Sequence, residues 1–212
     1  IVNELKYDAR RRGEDIIDFG LGNPDMPTPK HIVDKLIEAS NKEANHRYSV
    51  SKGIYKLRLA ITDWYKRNHD VDLDPNSEAI ATIGSKEGIA HLSIAFLNPD
   101  DVAIVPSPAY PVHFNGVILA GGKLHSIPLL EENNYLADFE SVEQSVVDKT
   151  KLIFLSYPNN PTGAVASKEY FQKVYDWAKD KNILVAHDAV YSEISFDGYK
   201  APSFLEIEGA KD

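Results

Sequence analysis

The chain contains no cysteine. A disulfide framework and every Cys-based metal or redox motif are therefore excluded, and a reducing cytoplasm is the expected setting. Its seven histidines show no His-x-x-x-His or comparable spacing, which leaves a metal site without support. No apolar stretch approaches the roughly 20 residues that cross a bilayer, and the first residues carry no signal-peptide pattern. Basic charge is also scarce: 23 Lys and Arg stand against 32 Asp and Glu, a net charge of −9. That balance argues against a nucleic-acid surface. The one basic run, Arg10-Arg11-Arg12, continues an amphipathic pattern (Val2, Leu5, Ala9) and reads as a solvated helix end. Repeats and low-complexity tracts are missing too. What remains is an ordinary soluble composition over 212 residues, enough for one large domain or one plus a fragment.

Along the chain, Ile16-Ile17-Asp18-Phe19-Gly20-Leu21-Gly22 predicts a short strand running into a Gly-rich loop. Asn23-Pro24-Asp25 and Pro27-Thr28-Pro29 then break the chain and mark the best domain boundary. A helix with Ile32, Val33, Leu36 and Ile37 on one face follows, then a helix with Ile54, Leu57, Ile61 and Trp64 on one face. Next come a strand over 79–83, a helix through Ile89, Leu92 and Phe96, a strand over 102–105, a helix over 112–120 and a strand over 123–128. Strands alternating with helices predict an α/β fold with a doubly wound, mostly parallel sheet. The chain opens on Ile1 inside a helical pattern and closes on a loop-like Gly209-Ala210-Lys211-Asp212. The expectation is a sheet domain incomplete at both ends.

Two strings near the end carry the chemistry. Ser156-Tyr157-Pro158-Asn159-Asn160-Pro161-Thr162-Gly163 follows the apolar run Lys151-Leu152-Ile153-Phe154-Leu155. His187-Asp188-Ala189-Val190-Tyr191 follows Ile183-Leu184-Val185-Ala186. Between them, Phe171, Val174, Tyr175 and Ala178 fall at helical spacing. A strand–helix–strand unit puts both strand C-termini on one edge of a parallel sheet, where open α/β sheets bind ligands. Asn160, Asp188 and Tyr191 are thus expected to converge as an amide, a carboxylate and a phenol. These groups suit a pyridoxal phosphate ring: a carboxylate at the ring nitrogen favours its protonated form, and amide plus phenol can hold the phenolic oxygen. A plain turn and a helix-capping Asp are the bland alternative, which the pairing of both strings at this spacing disfavours.

On Asn-Pro-Thr-Gly followed by Asp-x-x-Tyr, the chain resembles the fold-type I pyridoxal phosphate aminotransferases (class I/II). The resemblance covers the whole chain and is nearest to bacterial alanine (glutamate–pyruvate) and aspartate aminotransferase-like proteins, with LL-diaminopimelate aminotransferase nearby. It implies an enzyme that moves an amino group from an L-amino acid, such as alanine, aspartate or glutamate, to a 2-oxo acid. It also implies residues 1–27 as the N-terminal segment of a small domain and 28–212 as the first part of the large cofactor-binding domain.

The resemblance extends to further residues. Gly84-Ser85-Lys86-Glu87-Gly88 lies between a strand and a helix, and its glycines and helix N-terminus suit a phosphate dianion. It is neither a P-loop nor Gly-x-Gly-x-x-Gly, and read alone Ser85 is first of all an N-cap. The family places Ser85 and the amides of Lys86 and Glu87 on the cofactor phosphate, although many relatives carry small residues where this chain has Lys86 and Glu87. Tyr110, in Pro106-Ser107-Pro108-Ala109-Tyr110-Pro111, matches a ring stacked on the cofactor; alone it reads also as a core-packing aromatic. Tyr48 matches a tyrosine reaching the phosphate of the neighbouring subunit, which would make a homodimer part of the mechanism; a buried interface tyrosine is its alternative. Gly22, in Leu21-Gly22-Asn23-Pro24, matches a loop beside the substrate carboxylate, and Asn160 also lies beside the substrate. His187 reads as a packed histidine and not as a general base.

In the family a lysine in a Ser-x-Ser-Lys string holds the cofactor as a Schiff base and shuttles the proton. This chain has no such string, so the expectation is a cofactor cradle without that lysine or the arginine that grips the substrate carboxylate. A β-lyase on the same scaffold shares every cradle residue. A transcription regulator's aminotransferase-like effector domain is the non-enzymatic reading, and it would need a basic segment upstream.

Overall fold

The computed structural model describes residues 2–18, 22 and 25–211. The chain divides into two compact units, residues 1–48 and 49–212. In the first, α1 (Val2–Arg11) ends in basic residues, and Lys6 is tied to Asp18 at 2.7 Å. Residues 14–18 have no regular structure, so the strand expected over 16–22 is not seen there; 19–21 lie outside the described residues. The helix α2 (Lys30–Ser40) starts directly after Pro29, whose fixed φ and missing N–H suit a helix entrance. Its predicted apolar face (Ile32, Val33, Leu36, Ile37) is exposed, while Lys30–Asp34 and Lys35–Glu38 pairs line the other side.

The second unit carries the sheet. After α3 (Tyr55–His69) come α4 (Ser85–Phe96), β1 (Val102–Ser107), α5 (Pro111–Leu119), β2 (Lys123–Pro128), α6 (Gln144–Val147), β3 (Thr150–Ser156), α7 (Lys168–Ala178) and β4 (Leu184–Asp188). The four strands are all parallel in the order β2-β1-β3-β4. Alternation along the strands divides the core. Ala103, Val105, Leu152 and Phe154 pack with Val117 of α5, and Ile104, Ile153 and Leu155 pack with Phe171, Val174 and Trp177 of α7. Helices on both faces make the sheet doubly wound, as the alternating pattern predicts.

Two local expectations fail. Residues 79–83 form no strand, and Ile80 and Ile83 are exposed. The segment is apolar enough, but a strand needs a ladder partner; its one recorded backbone bond of this kind runs from Ala81 N–H to Lys52 O. In α3 the buried positions are Arg58 and Thr62, whereas Ile54 and Leu57 are exposed. Arg58 enters the interior because its guanidinium donates to the carbonyls of Gly53 and Pro75, and its face covers the Tyr55 ring at 5.7 Å.

Phe171 is fully buried and sits edge-on to His187 and Phe204 at 4.8 and 5.6 Å between ring centroids. Replacing it by Ala leaves a cavity at the centre of the α7 face and should cost about 3–5 kcal/mol. Urea unfolding of the Phe171→Ala protein checks this, and a loss below about 1 kcal/mol would contradict the packing described.

Candidate active site

The loops after β3 and β4 leave the same sheet edge because Ser156 pairs in register with Asp188. The first loop is fastened by Asn159, which is buried. Its side-chain Oδ1 accepts from the N–H and hydroxyl of Thr162 at 3.2 and 2.8 Å, and its backbone pairs with Gly163 and Ala164. Gly163 takes φ +72°, a conformation that glycine adopts without strain. So held, Asn160 donates from Nδ2 to the Tyr191 hydroxyl at 3.3 Å. The expected meeting of amide and phenol is present in the geometry.

Asp188 ends β4 with its side chain only 8% exposed, and its Oδ2 lies 2.9 Å from Nε2 of His113. A carboxylate only accepts, so the His113 nitrogen facing it carries the proton. His113, itself fully buried, is stacked on Phe154 with centroids 5.3 Å apart. A buried carboxylate is costly unless it is bonded, and His113 supplies that bond. No spacing in the sequence points to His113, which lies 75 residues from its partner. The only trace is a polar ring in the mostly apolar α5.

The N-cap of α4 is Gly84, at φ +83°, so no side chain caps the first-turn amides of Ser85, Lys86 and Glu87. Ser85, Lys86, Tyr110, Asn160, Asp188 and Tyr191 all line one cavity of about 210 Å³. A larger one of about 550 Å³ shares Ser85 and Asp188 with it. Lys86 holds its ammonium 5.2 Å from the centre of the Tyr110 ring. The Glu87 side chain is not on the cavity wall and turns back toward Ile83. Gly22 and Tyr48 belong to the first unit, where both are exposed; Leu21, Asn23 and Pro24 lie outside the described residues. Among the described residues, no cluster of three or more His, Cys, Asp or Glu could hold a metal, and no helix is long and apolar enough to cross a membrane.

His187 has both ring nitrogens committed. The Phe204 N–H donates to Nδ1 at 3.3 Å, so Nε2 carries the proton and donates to the Tyr157 carbonyl at 3.1 Å. The ring therefore braces the β3 loop against residue 204 and has no free position for acid–base work.

Comparison with known proteins follows the same lines. The sequence pattern of the family described as aminotransferase class I and II matches residues 14–211. An LL-diaminopimelate aminotransferase of Halothermothrix orenii is 49% identical over 210 residues, covering 99% of this chain and 54% of that protein. The glutamate-pyruvate aminotransferase AlaC of Escherichia coli K12 is 48% identical over 212 residues, covering 100% of this chain and 52% of AlaC. Among solved structures, apo-BacF from Bacillus subtilis superposes with a TM-score of 0.93 at 44% identity, over 99% of this chain and 53% of BacF. The chain spans about half the length of the curated relatives it matches.

Burial pushes the His187 pKa down from its ordinary value, with the Tyr157 carbonyl and Asp188 opposing the shift. The folded state thus prefers the neutral ring, and unfolding takes up a proton below the unfolded pKa of about 6.5. This share of stability is complete above pH of about 6.5 and declines as pH falls below it. NMR titration of the folded protein should find the His187 midpoint below the ordinary histidine value of about 6.5; a midpoint at or above it would contradict the bonding described.

Proposed function

We propose a function on one premise: this chain belongs to the class I and II aminotransferases. The complete protein moves an amino group from an L-amino acid, with alanine, aspartate and glutamate foremost, to a 2-oxo acid, using pyridoxal 5'-phosphate. The observation that carries the reading is the single cavity lined by Ser85, Lys86, Tyr110, Asn160, Asp188 and Tyr191.

That donor set fits the cofactor. Asp188 would face the ring nitrogen and hold a proton there, since an adjacent carboxylate stabilises the cationic form. Asn160 and Tyr191, already bonded to each other, would hold the ring's phenolic oxygen, and Tyr110 would cover one ring face. Ser85 and the uncapped amides at the start of α4 would take the phosphate. When bound, the cofactor supplies an electron sink for a breaking bond at the substrate Cα. Gly22 would donate its amide to the substrate carboxylate, with Asn160 beside it. Tyr48 would reach the phosphate site of a second copy, which makes a homodimer part of the proposal. Residues 28–212 would form the first part of the cofactor-binding domain, with 1–27 in the small domain, in a cytoplasmic protein.

The cradle serves a β-lyase equally well, so the products decide. The complete protein, given an amino donor and a 2-oxo acid, should release a new amino acid; pyruvate with ammonia from a single substrate would favour the lyase. Asp188→Ala should slow the reaction about 10³-fold or more, equivalent to about 4 kcal/mol, while Asp188→Glu should do less harm. Turnover within about threefold of wild type in the Ala variant would overturn the assignment of Asp188.

A further inference from the structure

We infer that the Glu87 side chain is a positioning residue that holds the phosphate-binding turn in shape through the backbone of Ile83. The inference rests on the proposed placement of a phosphate at the start of α4.

Helices commonly open on a Ser, Thr, Asp or Asn whose side chain caps the first amides, with a Glu three residues on reaching back to the cap's own N–H. In α4 the capping side chain is missing, because the N-cap is Gly84. The returning Glu is present but reaches one residue further than usual: Glu87 Oε2 accepts from the Ile83 N–H at 2.6 Å. Ile83 is 91% exposed and belongs to no strand, so no sheet ladder fixes it. A second tie crosses the same turn, from the Thr82 hydroxyl to the Gly84 carbonyl at 3.0 Å. Gly88 packs its Cα against Thr82, and a Cβ there would come within 3.3 Å of the hydroxyl. The turn from 82 to 85 is thus tied to α4 by a carboxylate that leaves the first amides of the helix open to a ligand.

Charge alone predicts the opposite role. A carboxylate in the first helical turn competes with a phosphate for the same partial positive charge and repels it. Removing Glu87 should therefore tighten phosphate binding if electrostatics governs, and loosen it if the brace governs. The two accounts differ in sign.

The test uses the complete protein and two probes, pyridoxal phosphate and pyridoxal, whose affinity ratio isolates the phosphate contribution. Glu87→Ala and Glu87→Met both remove the acceptor, and Met keeps the side-chain length should the Ala variant fail to fold. In either, the preference for the phosphate-bearing probe should fall about tenfold. Glu87→Gln, whose amide oxygen can still accept from Ile83, should keep the preference at or above the wild-type value. An unchanged or increased preference in the Ala and Met variants would overturn the inference, as would an equal loss in Gln. A wild-type protein with no preference between the probes would instead overturn the phosphate placement itself.

Discussion

The parallel register between β3 and β4 is the constraint on which the rest depends. Because Ser156 lies beside Asp188, both strands stop at the same level and their loops open on one sheet edge. β1 runs parallel to β3 and leads through Ser107 into Tyr110 and α5, which brings an aromatic ring and His113 to that edge as well. Shifting β4 along β3 would carry Asp188 away from His113, and slipping it by one residue would turn its side chain to the other face.

Around that edge the residues divide between those that face the cavity and those that hold them there. Asn159 and Thr162 shape the loop so that Asn160 can meet Tyr191. His113 anchors Asp188, and His187 anchors the loop carbonyl of Tyr157 against residue 204. Among the described residues, no buried side-chain nitrogen or oxygen lacks a hydrogen-bond partner. A site built from buried polar groups needs that condition, since each orphaned group would cost roughly 1–3 kcal/mol.

Much of this was legible in the sequence where local pattern and fold agree. The β3–α7–β4 unit could be read because two apolar runs and one helical stripe are each self-contained signals. The cavity residues follow from strand ends, which parallel topology brings together without further information. Residues 79–83 misled because a short apolar run marks the capacity to form a strand, whereas the ladder depends on a neighbour that local pattern does not reveal. The burial of Arg58 leaves no trace in local pattern because it depends on two carbonyls, at positions 53 and 75, that only the fold brings to it. His113 and the Glu87 contact to Ile83 were hidden for a related reason: a histidine in a mostly apolar helix and a glutamate near a helix start are ordinary until their partners are placed.

The central claim is that Asp188, held by His113, keeps a proton on the nitrogen of a bound pyridine ring. The most direct measurement is the ¹⁵N NMR shift of ring-labelled pyridoxal phosphate in the complete protein. A protonated nitrogen in the wild type and a neutral one in Asp188→Asn, which keeps the side chain's shape but not its charge, is the predicted result. A neutral nitrogen in the wild type, or a protonated one that survives the Asn substitution, would contradict the account.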